Sequence, residues 1–232
     1  MNSNKKLFCL IISKIFQENF RITKDKLITI EDIIFLKQNL LNNLIENISI
    51  FSNENYVDIF VLLSNDEINI IEDKFFENKF NSSFIKFVKE NITIKESFRD
   101  NYKNYFFIYS DVMGISSRLL NTSINLLARE ENMLILSKSS SNDVCFIAKN
   151  KFDEKIFDLM LNKNLSYEEF LASREIDNFF IYTLTGTYRV NNFSSLKLLY
   201  SSLSNKESTE YCSQQMHENF TNLFIEYRDY IK

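Results

Sequence analysis

Residues 105–116 read YFFIYSDVMGIS. Five apolar or aromatic residues run into Ser110 and Asp111, and Gly114 follows three positions later. A carboxylate at the end of a buried-looking strand is a candidate for chemistry. In open α/β sheets ligands collect outside the carboxyl ends of the strands. A divalent cation such as Mg²⁺ takes one or two carboxylates together with phosphate oxygens. Asp111 therefore has two readings. It is a ligand to a nucleotide-bound Mg²⁺ or Mn²⁺, or it closes a strand-end Asx turn and holds nothing.

Other residues invite the same question. Lys14, Arg21, Lys24 and Lys26 follow the first apolar run. They form either a cluster that holds a diphosphate or a solvated basic loop, since surface lysines are routine. His217 is the single histidine, so zinc chemistry built on several histidines is excluded. It lies on a polar stretch far in sequence from every strand end. The run Ser139-Ser140-Ser141 lacks the flanking glycines of a nucleophile elbow and reads as a polar turn. Cys145 sits in an apolar run, where a thiol behaves as a small hydrophobe. Glu168 and Glu169 complement the start of a helix.

The composition removes whole classes. The 232 residues include no proline, no tryptophan and two glycines, Gly114 and Gly186. Neither GxGxxG nor GxxxxGK[ST] can be written with them. Turns must use Asn, Asp and Ser instead. The net charge is −4, with no long Lys/Arg run, so a nucleic-acid partner is not expected. Cys9, Cys145 and Cys212 are isolated and odd in number, which argues against a disulfide framework and for a reduced, cytoplasmic setting. The N-terminal apolar run is interrupted by Ser13 and Lys14 and is too short for a membrane span. It reads as a buried strand.

The elements that must position these residues follow from periodicity. Strands are predicted at 7–12, 58–63, 84–88, 105–109, 133–137, 144–148 and 179–184. Helices are predicted after Thr29, from 64 to about 78, at 93–102, from Ser116 or Ser117 to about 130, at 152–161, at 166–174 and at 194–203. A long C-terminal helix follows at 206–232. Strands alternating with helices give an α/β three-layer sandwich with a mostly parallel central sheet and helices on both faces. The pair at 133–148 breaks the alternation and predicts one antiparallel strand or hairpin. No linker marks a boundary, so 1–232 reads as a single domain with 206–232 as a helical extension. Its stripe of Tyr211, Phe220, Phe224, Tyr227 and Ile231 docks on its own domain or on a second copy in a homo-oligomer.

The order of features resembles the glycosyltransferase-A fold. More narrowly, it is similar to the bacterial radical-SAM/selenodomain-associated glycosyltransferase-like family. Ser110-Asp111 after YFFIY matches a Ser-Asp-Cys-Pro type motif, and Leu119-Leu120 matches the Leu-Leu pair of the next helix. Ser141-Asn142-Asp143 stands where the family has a turn of Asp-Gly-Gly type. Arg189-Val190-Asn191 stands where it has Asp-Val-Asp. Lys24-Asp25-Lys26-Leu27 loosely matches a basic loop. The resemblance spans residues 5–205. It implies transfer of a sugar or nucleotidyl group from a nucleotide-activated donor with Mg²⁺ or Mn²⁺. Asp111, helped by Asp143, would hold the metal. Lys14, Arg21, Lys24, Lys26, Ser110 and Arg189 would face the nucleotide. The departures imply an alternative: a catalytically degenerate member acting as a non-enzymatic interaction or scaffold protein. Arg189 puts a positive charge where a cation is expected, which opposes metal binding, or else it contacts phosphate directly.

Overall fold

The computed structural model describes residues 6–13, 28–54, 57–63, 85–89, 102–162, 165–173 and 179–231. The basic cluster Lys14, Arg21, Lys24 and Lys26 lies outside the described residues. So do the predicted helix at 64–78 and nearly all of the one at 93–102, whose last residue, Tyr102, opens a strand.

Seven strands form the central sheet: β1 (Lys6–Ile12), β2 (Val57–Leu63), β3 (Ile85–Lys89), β4 (Tyr102–Tyr109), β6 (Met133–Lys138), β7 (Val144–Lys149) and β8 (Phe180–Leu184). Their order is β3-β2-β1-β4-β7-β6-β8. The pairs β1–β2, β1–β4, β2–β3 and β6–β8 are parallel. Only β7 runs against its neighbours, β4 and β6. The predicted antiparallel strand near 133–148 is therefore β7. Apolar side chains on both sides of these strands explain the continuous runs: Phe8 to Ile11 and Phe106 to Tyr109 are fully enclosed.

Chain order reverses at β1. The chain steps outward from β1 to β2 to β3, then returns to place β4 on the other side of β1. In open α/β sheets such a reversal, here beyond the ends of β1 and β4, is where ligands collect. The amide of Ser110 donates to the Ile12 carbonyl at 2.9 Å, so the two strand ends are tied together there.

Helices pack on the sheet in the expected layers. They are α1 (Ile30–Glu54), α2 (Ser117–Leu127), α3 (Glu154–Asn162), α4 (Tyr167–Ala172), α5 (Phe193–Leu203), α6 (Gln214–Glu226) and α7 (Arg228–Ile231). Thr29 caps α1, Ser116 caps α2, and Ser166 with Glu169 closes a capping box on α4. Aromatic contacts run from Phe8 through Tyr105 and Phe107 to Phe152 and Phe157, joining β1, β4 and α3.

The long C-terminal helix predicted at 206–232 is instead broken. A 3₁₀ turn spans Lys206–Glu210, and α6 and α7 follow as separate pieces. The cause is tertiary. Asn43 and Asn47, one turn apart on α1, both donate to the Tyr211 carbonyl, at 2.9 and 2.8 Å. Ser213 then caps α6 and donates to Glu46 at 2.9 Å. Phe220, Phe224 and Ile231 are buried in a second apolar cluster with Leu36, Leu40 and Leu199. Those three members of the predicted stripe meet their own chain.

One partly buried pair sets a pH dependence. Lys149 Nζ lies 2.5 Å from Asp153 Oδ2 and 3.7 Å from the centre of the Phe179 ring. Asp153 also accepts from the amides of Lys155 and Ile156, both at 3.2 Å, at the start of α3. Burial alone would raise the Asp153 pKa, but Lys149 and the two amides outweigh it and hold it below the ordinary 3.8. A depressed carboxylate pKa stabilises the fold above the unfolded value, and that stability is lost as pH falls through the folded value. Asp153→Ala is expected to cost about 1–2 kcal/mol at pH 7. Urea melts should show the gap between wild type and variant narrowing as pH drops below about 4.

Candidate functional site

Asp111 stands just past β4, two residues beyond Tyr109. The chain turns at Ser110-Asp111 and continues as β5 (Val112–Met113), which pairs with β9 (Tyr188–Arg189) in a separate antiparallel ribbon. Val112 lies opposite Arg189, and the Val190 amide donates to the Asp111 carbonyl at 2.8 Å. This ribbon delivers the Arg189 side chain to Asp111. Nε donates to Oδ1 and Nη2 to Oδ2, each at 2.8 Å. Both residues are 1% exposed.

The guanidinium is planar and its fork matches a carboxylate, so two parallel charge-assisted bonds form. Its carbon also sits 4.0 Å from the centre of the Tyr109 ring, a cation–π contact. The Tyr109 hydroxyl donates to the Met160 carbonyl at 3.0 Å, which fixes the ring. Burial alone would lower the Arg189 pKa, but the Asp111 carboxylate raises it further, so the guanidinium stays charged. Burial pushes the Tyr109 hydroxyl and the Cys145 thiol up to about 12. Cys145 is therefore a protonated core thiol at neutral pH and not a nucleophile. Removing either partner of such a pair strands a buried charge and typically costs about 3–5 kcal/mol.

Asp143 is placed differently. It closes the β6–β7 hairpin, where Oδ2 accepts from Ser141 Oγ at 2.6 Å and its amide donates to Ser139 Oγ at 3.0 Å. Asn142, with φ of 69°, takes the left-handed position that glycine usually fills. Its side chain donates to Glu168 at 3.0 Å. Ser110 is buried beside Asp111. His217 packs at the junction of α5 and α6, with Nε2 3.0 Å from the Leu203 carbonyl.

The structure thus brings together Ser110, Asp111 and Arg189 and assigns Asp143 to a turn. A divalent cation needs carboxylate oxygens with open lone pairs, at about 2.0–2.6 Å. Here a guanidinium already lies 2.8 Å from each oxygen of Asp111, so a second cation there would meet a like charge. Among the described residues, no group of three or more His, Cys, Asp or Glu side chains gathers into a metal cluster. The residues present do not fit a metal. Asp111 is 1% exposed, sealed by Arg189, which arrives from a strand 78 positions further on.

Sequence reasoning missed the cleft next to this pair. It holds about 330 Å³ and is lined by Lys138, Ser139, Thr185, Gly186, Thr187 and Tyr188, among others. It lies at the carboxyl ends of β6 and β8. Lys138 Nζ sits 4.4 Å from the centre of the Tyr167 ring and donates to Asn142 at 3.4 Å. Below, the buried hydroxyls of Ser137 and Thr187 bond each other.

The overlooked signal was the glycines. Gly114 and Gly186 have φ of +87° and +95°. They meet in space: a Cβ on Gly114 would stand 2.3 Å from the Gly186 carbonyl oxygen.

No protein-family model and no curated protein sequence matches the chain. Solved structures do. A candidate nucleotide-diphospho-sugar transferase from Desulfovibrio desulfuricans G20 superposes with a TM-score of 0.67 at 12% identity, over 97% of this chain and 96% of that one. The chain has the nucleotide-diphospho-sugar transferase fold. Two further structures match with lower scores. One is a 4-diphosphocytidyl-2C-methyl-D-erythritol synthase from Anaerococcus prevotii DSM 20548, with a TM-score of 0.48 and 14% identity over 86% of this chain and 97% of that one. The other is a Mycobacterium tuberculosis H37Rv protein in complex with manganese, with a TM-score of 0.45 and 8% identity over 85% and 98%. Among the described residues, no helix of this fold is long and apolar enough to cross a membrane.

The glycine contact predicts an asymmetry. Gly114→Ala combines a left-handed backbone with a backbone clash and should cost about 3 kcal/mol or more. Gly186→Ala meets nothing within 4 Å. It should cost only the conformational penalty, about 1 kcal/mol. Urea denaturation of the two variants checks the order.

Proposed function

We propose that this chain is a catalytically degenerate bearer of the nucleotide-diphospho-sugar transferase fold, acting as a non-enzymatic interaction or scaffold protein. The observation that supports this is the buried, bidentate Asp111–Arg189 pair just past the end of β4. Metal-assisted transfer stabilises a leaving phosphate with a cation held at a fixed place. At Asp111 that place is filled by a side chain that cannot be exchanged.

The rival reading is transfer of a sugar or nucleotidyl group from a nucleotide-activated donor, with Mg²⁺ or Mn²⁺ at Asp111 and Asp143. The Lys138-edged cleft of hydroxyl-bearing residues favours retention of a small-molecule site. Under that reading Ser110, Lys14, Arg21, Lys24 and Lys26 would face the donor. Arg189 would have to leave Asp111 for the metal to enter.

A thermal-shift screen separates them. UDP-, GDP- and CDP-linked donors are added with and without Mn²⁺. A donor present at about 100 times its Kd stabilises by about 2.7 kcal/mol, several degrees for a chain of this size. The proposal expects no Mn²⁺-dependent rise in Tm with any donor. A Mn²⁺-dependent rise that disappears in Asp111→Ala would establish the enzyme instead.

A further inference from the structure

We infer that β8 is a dimerisation edge: two copies of this chain pair their β8 strands antiparallel about a two-fold axis at Tyr182 and join their sheets into one. The inference stands whether or not the chain is an enzyme.

The place of the strand comes first. β8 ends the strand order, and among the described residues no strand pairs with its outer side. Its neighbour β6 takes the inner side, where the Phe180 amide donates to the Asn132 carbonyl at 3.0 Å. Backbone groups alternate along a strand, so Ile181 and Thr183 turn their amides and carbonyls outward. An outward row of that kind is a template for another strand, and sheets guard such edges with lysine, proline or a bulge. The opposite edge follows that rule, because β3 carries Lys86 and Lys89 within five residues. β8 has none of these devices. Phe179 to Tyr188 holds no charged residue and no proline, and the register with β6 runs unbroken from Phe180 to Leu184.

The side chains repeat the message. Phe180 and Tyr182 share one face of β8 and are 70% and 46% exposed. On the other face the Thr183 hydroxyl lies 3.3 Å from the Tyr167 hydroxyl of α4, and Leu171, one turn further along α4, is 44% exposed. Three large apolar side chains left in water thus lie on β8 or on the helix that touches it.

A second copy fits this edge because the strand complements its own reverse. Laid antiparallel on itself with Tyr182 opposite Tyr182, it sets Ile181 opposite Thr183 and Phe180 opposite Leu184. The outward groups of Ile181 and Thr183 then meet as hydrogen-bonded pairs, with about four main-chain bonds. The two tyrosines form the central non-hydrogen-bonded pair, where side chains stand closest, and Phe180 packs on the same face. No charge is buried. The contact is isologous, so it closes at two copies. Five residues a side make a small, reversible interface, with a dissociation constant on the order of micromolar.

Sedimentation equilibrium of the full chain tests this, with circular dichroism to check that each variant is folded. Wild type is expected to pass from monomer to dimer between about 1 and 100 µM. Tyr182→Lys and Tyr182→Glu each set like charges face to face at the axis and should weaken the dimer on the order of tenfold or more. Mixing those two variants sets opposite charges face to face and should restore it. Thr183→Pro removes an outward amide that β6 does not use, so the fold should survive and the dimer should not; it decides the matter if the Tyr182 variants do not fold. A wild type that stays monomeric overturns the inference and leaves the edge to a strand from another protein or from elsewhere in this chain. A dimer that the folded variants do not weaken, or a mixture no more dimeric than its components, overturns it as well.

Discussion

A buried charge pair ties two distant parts of this fold together at the end of its central strand. Asp111 follows β4, the neighbour of the strand at which the order reverses, and Arg189 reaches it from 78 positions further on. The pair closes a two-residue ribbon, seats a guanidinium on Tyr109 and sets the wall of the neighbouring cleft. In water such a pair contributes little. At 1% exposure the balance changes, because each charge alone would be stranded. A structure that buries a carboxylate must keep a cation on it, and here the cation is covalently part of the chain. That constraint is set by geometry: the ribbon that pairs Val112 with Arg189 is what brings the guanidinium to the carboxylate.

The scarcity of glycine makes the same place visible in another way. Only two glycines occur in 232 residues, and both adopt positive φ where two connections cross. Gly114 cannot carry a Cβ, since the Gly186 carbonyl is too near. Elsewhere the chain uses asparagine. Asn142 makes the left-handed turn of the β6–β7 hairpin, and Asn43 with Asn47 stops the helical extension by binding the Tyr211 carbonyl. Asparagine tolerates left-handed backbone and brings an amide that can satisfy a carbonyl. Neither property substitutes for the missing Cβ at Gly114.

Much of the fold was legible because the forces that set it act locally. Apolar runs such as LFCLII and DIFVLL declare buried parallel strands, and Ser166-Tyr167-Glu168-Glu169 declares a capped helix start. The broken alternation at 133–148 pointed to β7. What was not legible depends on distant contacts. The break at residues 211–213 is imposed by α1, which no pattern within the C-terminal segment records. The same holds for the site. Asp111 and Arg189 were both visible as charged residues near strand ends. Their mutual capture depends on the register of the β5–β9 ribbon, fixed only when the whole sheet is assembled. The cleft was missed because its lining combines two separate turns with one helix residue, and serine and threonine in turns carry no distinctive spacing.

The central claim is that a guanidinium, not a metal, holds Asp111. A crystal structure of the full chain grown with Mn²⁺ and a cytidine nucleotide, with anomalous data collected for manganese, tests this most directly. The account predicts both Arg189 bonds to Asp111 in place and no manganese peak at either carboxylate oxygen. A manganese peak at bonding distance from Asp111, with Arg189 turned away, would contradict it.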